Sequence, residues 1–145
     1  MTGWLLDTNV LSELRRPQPD RQVVRFLAAQ PLDQLYTSAV VLTEIRFGIE
    51  LAADPLKRTA LHDWLTHQLR PQFEGRVLAV SEDVMVKWRL LVEQGRKVGR
   101  TFSQPDLIIA ATALHGGVTV VTRNVSDYDG TGVRVLNPWT DPLPV

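Results

Sequence analysis

The chain has 145 residues, no cysteine, and 16 acidic against 16 basic residues, so its formal net charge is zero. This length suits one globular domain, expected over residues 1–145. The lack of cysteine excludes a disulfide scaffold, a thiolate metal site and a cysteine nucleophile. No apolar run approaches the roughly 18 residues of a membrane span, and no signal peptide is recognisable, so we expect a cytoplasmic protein without membrane contact.

Five short runs rich in β-branched and large apolar residues predict strands: WLLDT, LYTS, RVLAV, VTVVTR and VRVLN. Segments with helical periodicity separate the first four runs, and the first two intervals are long enough for paired helices. The pattern predicts an α/β fold built from βα units, with a mainly parallel sheet. Because the crossovers are right-handed, the carboxyl ends of the strands would share one edge, where open α/β sheets bind ligands.

Residues typical of helix ends support this arrangement. Ser38, Asp54 before Pro55, and Ser81 each precede a segment with helical periodicity and are expected to cap it. The pair Gly116-Gly117 is typical of a helix C-terminus before the next strand. The chain therefore alternates between strands and helices with few residues left for long loops.

Polar residues follow the first and fourth predicted strands. Asp7 comes directly after the apolar run Trp4-Leu5-Leu6, and Asn124 and Asp127 lie in the turn after VTVVTR. A local role as cap or turn residue would explain each of them. All three nevertheless belong to the edge of the sheet where ligands bind.

Glu44 lies within the helical segment SAVVLTEIRFGIEL. Helical spacing places it on the same side as several apolar residues, namely Val40, Val41, Phe47, Gly48 and Leu51. Glu44 is therefore expected to interrupt an apolar face, where a carboxylate needs either an arginine partner or a cation.

Asp106 lies in SQPDLIIAATALHGG, which fits a capping box from Ser103 to Asp106 with Pro105 in the first turn. The following residues are apolar on nearly every side, so this helix is expected to be buried. Its first turn would then place Asp106 at the edge of the sheet. Capping and chemistry can coexist at this residue.

Several carboxylates meeting at one edge would repel one another unless a cation were present. Oxygen ligands favour a hard ion such as Mg²⁺ or Mn²⁺, and the three histidines, His62, His67 and His115, show no zinc spacing. Magnesium held by few carboxylates keeps several waters and typically meets a phosphate. The chemistry that follows is hydrolysis of a phosphodiester by a metal-activated water.

Four motifs in order, LLDTNVLSEL, TEIRFGI, PDLIIAATAL and TVVTRNVSDY, resemble the PIN-domain ribonucleases. Within that family the chain is similar to the VapC-type toxins of bacterial type II toxin–antitoxin pairs, and the ending VRVLNPW is similar to the FitB-like branch. The resemblance covers essentially the whole chain. It implies a three-layer α/β/α sandwich around a mainly parallel sheet.

The resemblance also implies the site residues. Asp7, Glu44 and Asp106 match the acidic triad that binds Mg²⁺ in the family, with Mn²⁺ as a substitute. Many PIN domains have a fourth acid where this chain has Asn124, which can offer a neutral oxygen to the metal, and Asp127 is the acid that can supply the missing charge. Thr8 and Thr122 match positions that either hydrogen-bond the carboxylates and waters or serve only the fold.

The family further implies a VapB-type antitoxin that covers the acidic site, a homodimer within a toxin–antitoxin hetero-oligomer, and RNA as substrate. Operator DNA would be bound only through the antitoxin. Trp64, Trp88 and Trp139 are candidate anchors for such contacts, with core packing as the alternative.

Two other functions stay open. A haloacid-dehalogenase-type phosphatase would use Asp7 as nucleophile, although DTN lacks the second aspartate of that family's motif. A catalytically weak PIN-like binding module would act through protein or nucleic-acid contacts alone. Zero net charge weakens an argument for nucleic-acid binding from bulk charge but leaves local patches, and two sets of basic residues are close together in the sequence: Arg15, Arg16, Arg21 and Arg25, and Arg96, Lys97 and Arg100.

Overall fold

A computed structural model describes residues 3–144, so Met1, Thr2 and Val145 of the expected domain lie outside the described residues. Five parallel strands form one sheet in the order β3-β2-β1-β4-β5. Their bounds are Trp4–Leu6 for β1, Leu35–Ser38 for β2, Val77–Leu78 for β3, Thr119–Val121 for β4 and Val135–Leu136 for β5. All five predicted strands are confirmed; β2 matches its run LYTS, and the other four strands are shorter than their runs.

Within residues 3–144, seven α-helices connect the strands. They are α1 (Thr8–Glu13), α2 (Arg21–Ala29), α3 (Ala39–Glu50), α4 (Pro55–Trp64), α5 (Arg70–Gln72), α6 (Glu82–Lys97) and α7 (Gln104–Gly116). A π-helical segment, Leu65–Leu69, joins α4 to α5, and 3₁₀ turns span Leu32–Gln34 and Val125–Tyr128. The paired helices expected in the first two intervals are confirmed, as is the α/β class with a parallel sheet flanked by helices.

The core lies between the sheet and its helices. Leu5 and Val120 on the central strands are fully buried, as are Val10 of α1 and Ala110 of α7. Helix α7 is buried on nearly every side, as its composition predicts, and it packs against α3, α6 and β4. Burial of this helix fixes the position of its first turn, which carries Asp106.

The predicted caps of three helices are confirmed. The Ser38 hydroxyl accepts a hydrogen bond from the Val41 amide at 3.1 Å, and the Asp54 carboxylate accepts one from the Leu56 amide at 3.0 Å. Ser81 caps α6 in the same way. Gly117 ends α7 with φ of 68°, a left-handed conformation that favours glycine.

The predicted capping box at the start of α7 is wrong in its bonding. Ser103 occupies the N-cap position, but its side chain makes no capping hydrogen bond to the helix backbone. Its hydroxyl interacts with the Asp106 carboxylate instead. The serine therefore serves the acidic side chain rather than the helix end.

The apolar face predicted for α3 is wrong in part: Val41 of that face is buried and Val40 packs against the core, but Gly48 is exposed. The residues of α3 that face the core are Val41, Leu42, Ile45 and Ile49, whereas Phe47 is 59% exposed and Leu51 is 68% exposed. Glu44 lies at the border between the buried and exposed sides and is half-buried. Periodicity identified the helix but assigned the face to the neighbouring stripe of apolar residues.

Among residues 3–144, no helix combines the length and the apolar character of a membrane-spanning segment.

Candidate functional site

A cleft of about 510 Å³ opens where β1 and β4 end and α7 begins. Three of the predicted acids line it, each from a different part of the chain: Asp7 after β1, Glu44 from α3 and Asp106 from α7. Asn124, just beyond β4, lines it too. The remaining lining residues are Thr8, Asn9, Ser12, Ser103, Pro105 and Ile109.

Asp7 is held at the bottom of this cleft with 6% of its surface exposed. One carboxylate oxygen, Oδ1, accepts a hydrogen bond from the Thr8 amide at 2.8 Å, so Asp7 is also the N-cap of α1. The other, Oδ2, accepts one from the Tyr128 hydroxyl at 2.9 Å. Each oxygen still has a lone-pair direction available, because a carboxylate can accept about four hydrogen bonds.

Tyr128 is a buried donor that suits this task. Its side chain is 2% exposed, and burial together with the neighbouring Asp7 charge raises the pKa of its hydroxyl well above the ordinary value. The phenol therefore stays protonated at neutral pH and remains a hydrogen-bond donor to Asp7. At 2.9 Å this hydrogen bond is buried, and donation to an ionised carboxylate strengthens such a bond.

Asp106 shows that the acids influence one another. Burial is the largest cause that raises its pKa from 3.8 to about 6, and the charges of Asp7 and Asp127 act in the same direction. The charge of Glu44 also raises the pKa of Asp106, whereas the hydrogen bond from Ser103 lowers it. Four carboxylates from separate segments thus share one region of the molecule.

The two candidates for the fourth position lie on the same short segment. Asn124 precedes the 3₁₀ turn Val125–Tyr128 and lines the cleft, and Asp127 lies within that turn. Asp127 is not among the lining residues of the cleft, but its charge acts on Asp106. Of the two, Asn124 can therefore offer an oxygen to the cleft, and Asp127 contributes negative charge that acts on Asp106.

Asn9 ties this segment to the first helix. Its side-chain amide donates to the Thr122 hydroxyl at 3.0 Å, and its Oδ1 accepts from the Arg123 amide at 3.1 Å. The Thr122 hydroxyl also accepts from the Asn124 amide at 3.1 Å. Thr122 thus orders the loop after β4, and no described hydrogen bond joins its hydroxyl to a carboxylate.

Sequence reasoning found the acids of this cleft but missed Asn9, Ser103 as a partner of Asp106, and Tyr128. Tyr128 lies 121 positions from Asp7, and Asn9 lies 113 positions from Thr122, so no local pattern joins them. A large aromatic residue within the polar turn SDYDG was the available signal, because such a side chain is expected to be buried and to need a partner for its hydroxyl.

The donor set suits a hard cation, since carboxylate, amide and hydroxyl oxygens face the cleft and no sulfur ligand is available. The mutual repulsion that raises the pKa of Asp106 is the electrostatic condition that a divalent ion would relieve. Within residues 3–144, however, no three histidine, aspartate or glutamate side chains are grouped as a set that could hold an ion.

The histidines and tryptophans take no part in this cleft. His62 lies beside Glu50 at 3.4 Å, and His67 and His115 are exposed. Trp64, Trp88 and Trp139 each pack partly against the core, and the interface role considered for them stays a prediction.

Comparison with known proteins agrees with this geometry. The family model described as PIN domain matches residues 4–126. The chain is 37% identical to the toxin FitB of Neisseria gonorrhoeae over 94% of this chain and 99% of that protein. It is 36% identical to the VapC ribonuclease Y4jK of Sinorhizobium fredii over 93% of this chain and 96% of that protein.

A solved structure of FitAB bound to the IR36 DNA fragment contains a chain that superposes on this one with a TM-score of 0.87, at 35% identity, covering 96% of this chain and 97% of that one. The two relatives named above are a toxin and a ribonuclease, so they give no support to a phosphatase that uses Asp7 as its nucleophile. The acidic cleft, the parallel sheet and the extent of these likenesses together place the protein in the PIN domain family, in the FitB-like branch of the VapC-type toxins.

Proposed function

We propose that this protein is the toxin of a toxin–antitoxin pair and acts as a Mg²⁺-dependent endoribonuclease that hydrolyses phosphodiester bonds of RNA. The observation that carries the proposal is that Asp7, Glu44 and Asp106, from three separate parts of the chain, line one cleft together with Asn124. Burial of Asp106 and the charges of Asp7, Asp127 and Glu44 raise its pKa, which agrees with this convergence. Convergence of acids at the carboxyl edge of a parallel sheet is costly to the fold, and a bound cation is the feature that would offset the cost. Similarity to a named toxin and a named ribonuclease supports the same proposal.

Asp7, Glu44, Asp106 and Asn124 would hold the ion, with Mn²⁺ able to replace Mg²⁺, and Asp127 would add negative charge beside them. When bound, such an ion would lower the pKa of an attacking water and offset the charge that develops on the leaving oxygen. No covalent intermediate with the protein is needed for this chemistry.

The protein's own residues prepare that site. Tyr128 and the Thr8 amide fix the direction of the Asp7 carboxylate, since they occupy one lone pair on each of its oxygens. The Ser103 hydroxyl favours the ionised form of Asp106, which a cation requires. Asn9 holds the loop that carries Asn124 against the start of α1.

The partners proposed for this chain follow from its relatives. FitAB was solved bound to a DNA fragment, and FitB is named a toxin. By similarity, a VapB-type antitoxin would cover the acidic cleft of this protein and would carry the contacts to operator DNA. We also propose a toxin homodimer within that hetero-oligomer.

Cleavage of mixed cellular RNA tests the catalytic proposal. The purified chain, freed of any bound partner, is incubated with RNA and Mg²⁺ or Mn²⁺, beside Asp7→Asn, Glu44→Gln and an EDTA control. Discrete cleavage that needs the metal and falls by about 100-fold or more in both variants is the expected result. Folded wild-type protein that cuts nothing with either metal, or variants that cut as well as wild type, would exclude the acidic site as the catalytic centre.

A catalytically weak binding module remains the second candidate. It is favoured by the lack of a grouped set of three metal-binding side chains within residues 3–144 and by asparagine at position 124. Such a module would show almost no thermal stabilisation by Mn²⁺, whereas a metal enzyme would be stabilised in proportion to the logarithm of the ion concentration.

A further inference from the structure

A second groove of about 510 Å³ lies between the start of α2 and the segment after β5. Its lining residues are Asp20, Arg21, Gln22, Arg25 and Trp139, and we call it the Arg21–Arg25 groove. The Gln22 side-chain amide donates to the Asp141 carbonyl oxygen at 3.0 Å, which joins its two walls. Neither the acidic cleft nor the proposed chemistry uses these residues.

The groove presents two guanidinium groups, those of Arg21 and Arg25. Arg21 and Arg25 are exposed and one helical turn apart, so they emerge on the same side of α2. Among the ion pairs formed within residues 3–144, none involves either of them. Two like charges at this spacing repel each other, which an anion between them would relieve.

The carboxylates nearby are already engaged. Asp20 caps α2 by accepting hydrogen bonds from the amides of Gln22 and Val23, at 2.9 and 3.2 Å. Asp141 accepts one from the Asn137 amide at 2.9 Å. Both acids therefore stabilise the backbone of the groove walls and neither pairs with an arginine.

A third arginine connects this groove to the acidic cleft. The Arg123 guanidinium lies 5.1 Å from the centre of the Trp139 ring, and this contact restrains its side chain. The backbone amide of the same residue donates to Asn9, and the next residue, Asn124, lines the acidic cleft. The side chain of Arg123 therefore spans the distance between the acidic cleft, lined by Asn124, and the groove, lined by Trp139.

We propose that the Arg21–Arg25 groove binds the phosphate backbone of an RNA strand beside the acidic cleft; this rests on the ribonuclease function proposed above. A chain with zero net charge and a cluster of acids at its site repels a polyanion locally, so attraction has to come from cations beside the cleft. A planar guanidinium group can donate two parallel hydrogen bonds to the oxygens of one phosphate, which is bidentate binding.

Binding of RNA that is not cut tests the groove directly. Asp7→Asn protein in EDTA is titrated with a fluorescent single-stranded RNA of ten nucleotides at several salt concentrations, with and without Arg21→Gln and Arg25→Gln together. For single strands, each phosphate contact contributes about 0.7 to the slope of log affinity against log salt, so the double substitution should reduce the slope by about 1.4. Arg25→Lys should keep the slope, because the charge remains.

The matched control is Lys87→Gln with Arg134→Gln, which removes two exposed charges that line neither site. We expect this control to bind RNA like its parent. Unchanged affinity and slope in the groove variant would overturn the proposal, and so would an equal loss in the control.

Failure of the groove and failure of the ribonuclease can be told apart, because the binding assay needs no cleavage. In a chain that cuts RNA, the groove variant should raise KM and leave kcat nearly unchanged. Loss of RNA affinity in a chain that never cuts would support the groove and reject the nuclease. Cleavage with unchanged KM in the groove variant would reject the groove alone.

Discussion

Asp106 is the side chain at which the electrostatics of the cleft can be measured. Its pKa of about 6 in the folded chain lies above the ordinary 3.8. Between these two pH values, Asp106 is protonated in most folded molecules and ionised in most unfolded ones. Stability from this group is therefore present at low pH and is lost as the pH rises from about 4 through about 6. At neutral pH the ionised Asp106 destabilises the metal-free fold.

We expect Asp106→Asn to remove the loss of stability that ionisation of Asp106 causes at neutral pH. In EDTA, the variant should melt at a higher temperature than wild type at pH 7, and the difference should shrink to nothing near pH 3.5. Thermal unfolding followed by circular dichroism between pH 3.5 and 7.5 makes the measurement. A difference that does not change with pH would contradict the electrostatic origin of the shift.

Tyr128 gives a second prediction at a single side chain. Tyr128→Phe removes only the hydroxyl that donates to Asp7, and a hydrogen bond to a charged group contributes about 1.5–3 kcal/mol. Urea unfolding of Tyr128→Phe, Asp7→Asn and the double variant gives the coupling between them. We expect a coupling of at least about 1 kcal/mol. Additive effects would mean that the two groups do not interact in solution.

Gly95 of helix α6 packs closely against the loop that leads from α6 to α7. A Cβ added at Gly95 would lie 2.8 Å from the Arg100 carbonyl oxygen and 3.0 Å from the Phe102 ring, whereas at Gly48 it would meet nothing within 4 Å. Both glycines lie within helices. The two positions therefore differ in the room available for a side chain, whereas helix propensity favours alanine over glycine equally at both.

Gly95→Ala should therefore lower the free energy of unfolding by about 1–3 kcal/mol, because a backbone oxygen must move. Gly48→Ala is the matched control and should raise it by about 0.5–1 kcal/mol through helix propensity. Urea unfolding curves compare them. Equal effects at the two positions would show that the loop from Gly95 to Phe102 is not packed as described.

The link between α1 and the loop after β4 can be tested by hydrogen exchange. Asn9→Ala removes the acceptor of the Arg123 amide, so this amide should exchange at least about tenfold faster. The Val120 amide, which donates to the Arg134 carbonyl within the sheet, serves as the internal reference. Acceleration at both amides would indicate general unfolding instead of a local release.

The sequence predicts features that depend on neighbouring residues. Strands were found from runs such as LYTS, and helix starts from Ser38 and Asp54, because both signals are local. The exposed side of α3 was misassigned, since Phe47 and Leu51 look like core residues whichever way the helix faces. Which stripe of a helix is buried depends on its neighbours in space, and periodicity alone does not supply them.

The same distinction holds for the site. Asp7, Glu44 and Asp106 were proposed from their positions after a strand and on helices, and the fold brings all three to one cleft. The Tyr128 bond to Asp7 and the Asn9 bond to Thr122 could not be predicted, because they join distant segments after folding. Ser103 looked like a cap because its spacing fits one, and the nearby carboxylate competed for its hydroxyl.

At the scale of the whole molecule, the parallel sheet explains why the acids meet. Every strand runs in the same direction, so Asp7 after β1 and Asn124 after β4 emerge at one edge, and α7 brings Asp106 to it. Asp7 also serves the fold, because it caps α1 and accepts a hydrogen bond from the buried Tyr128. These local contacts do not explain why Glu44 and Asp106 line the same cleft. We propose that these acids lie together because they hold a divalent cation.

Titration with Mn²⁺, followed by the electron paramagnetic resonance signal of the free ion, tests that claim most directly. Wild-type protein should bind the ion, and Asp7→Asn and Asp106→Asn should each weaken its affinity by about tenfold or more. Asp33→Asn, which changes an exposed aspartate outside the cleft, should bind like wild type. Wild-type protein that binds no Mn²⁺, or cleft variants that bind it as well as wild type, would contradict the claim.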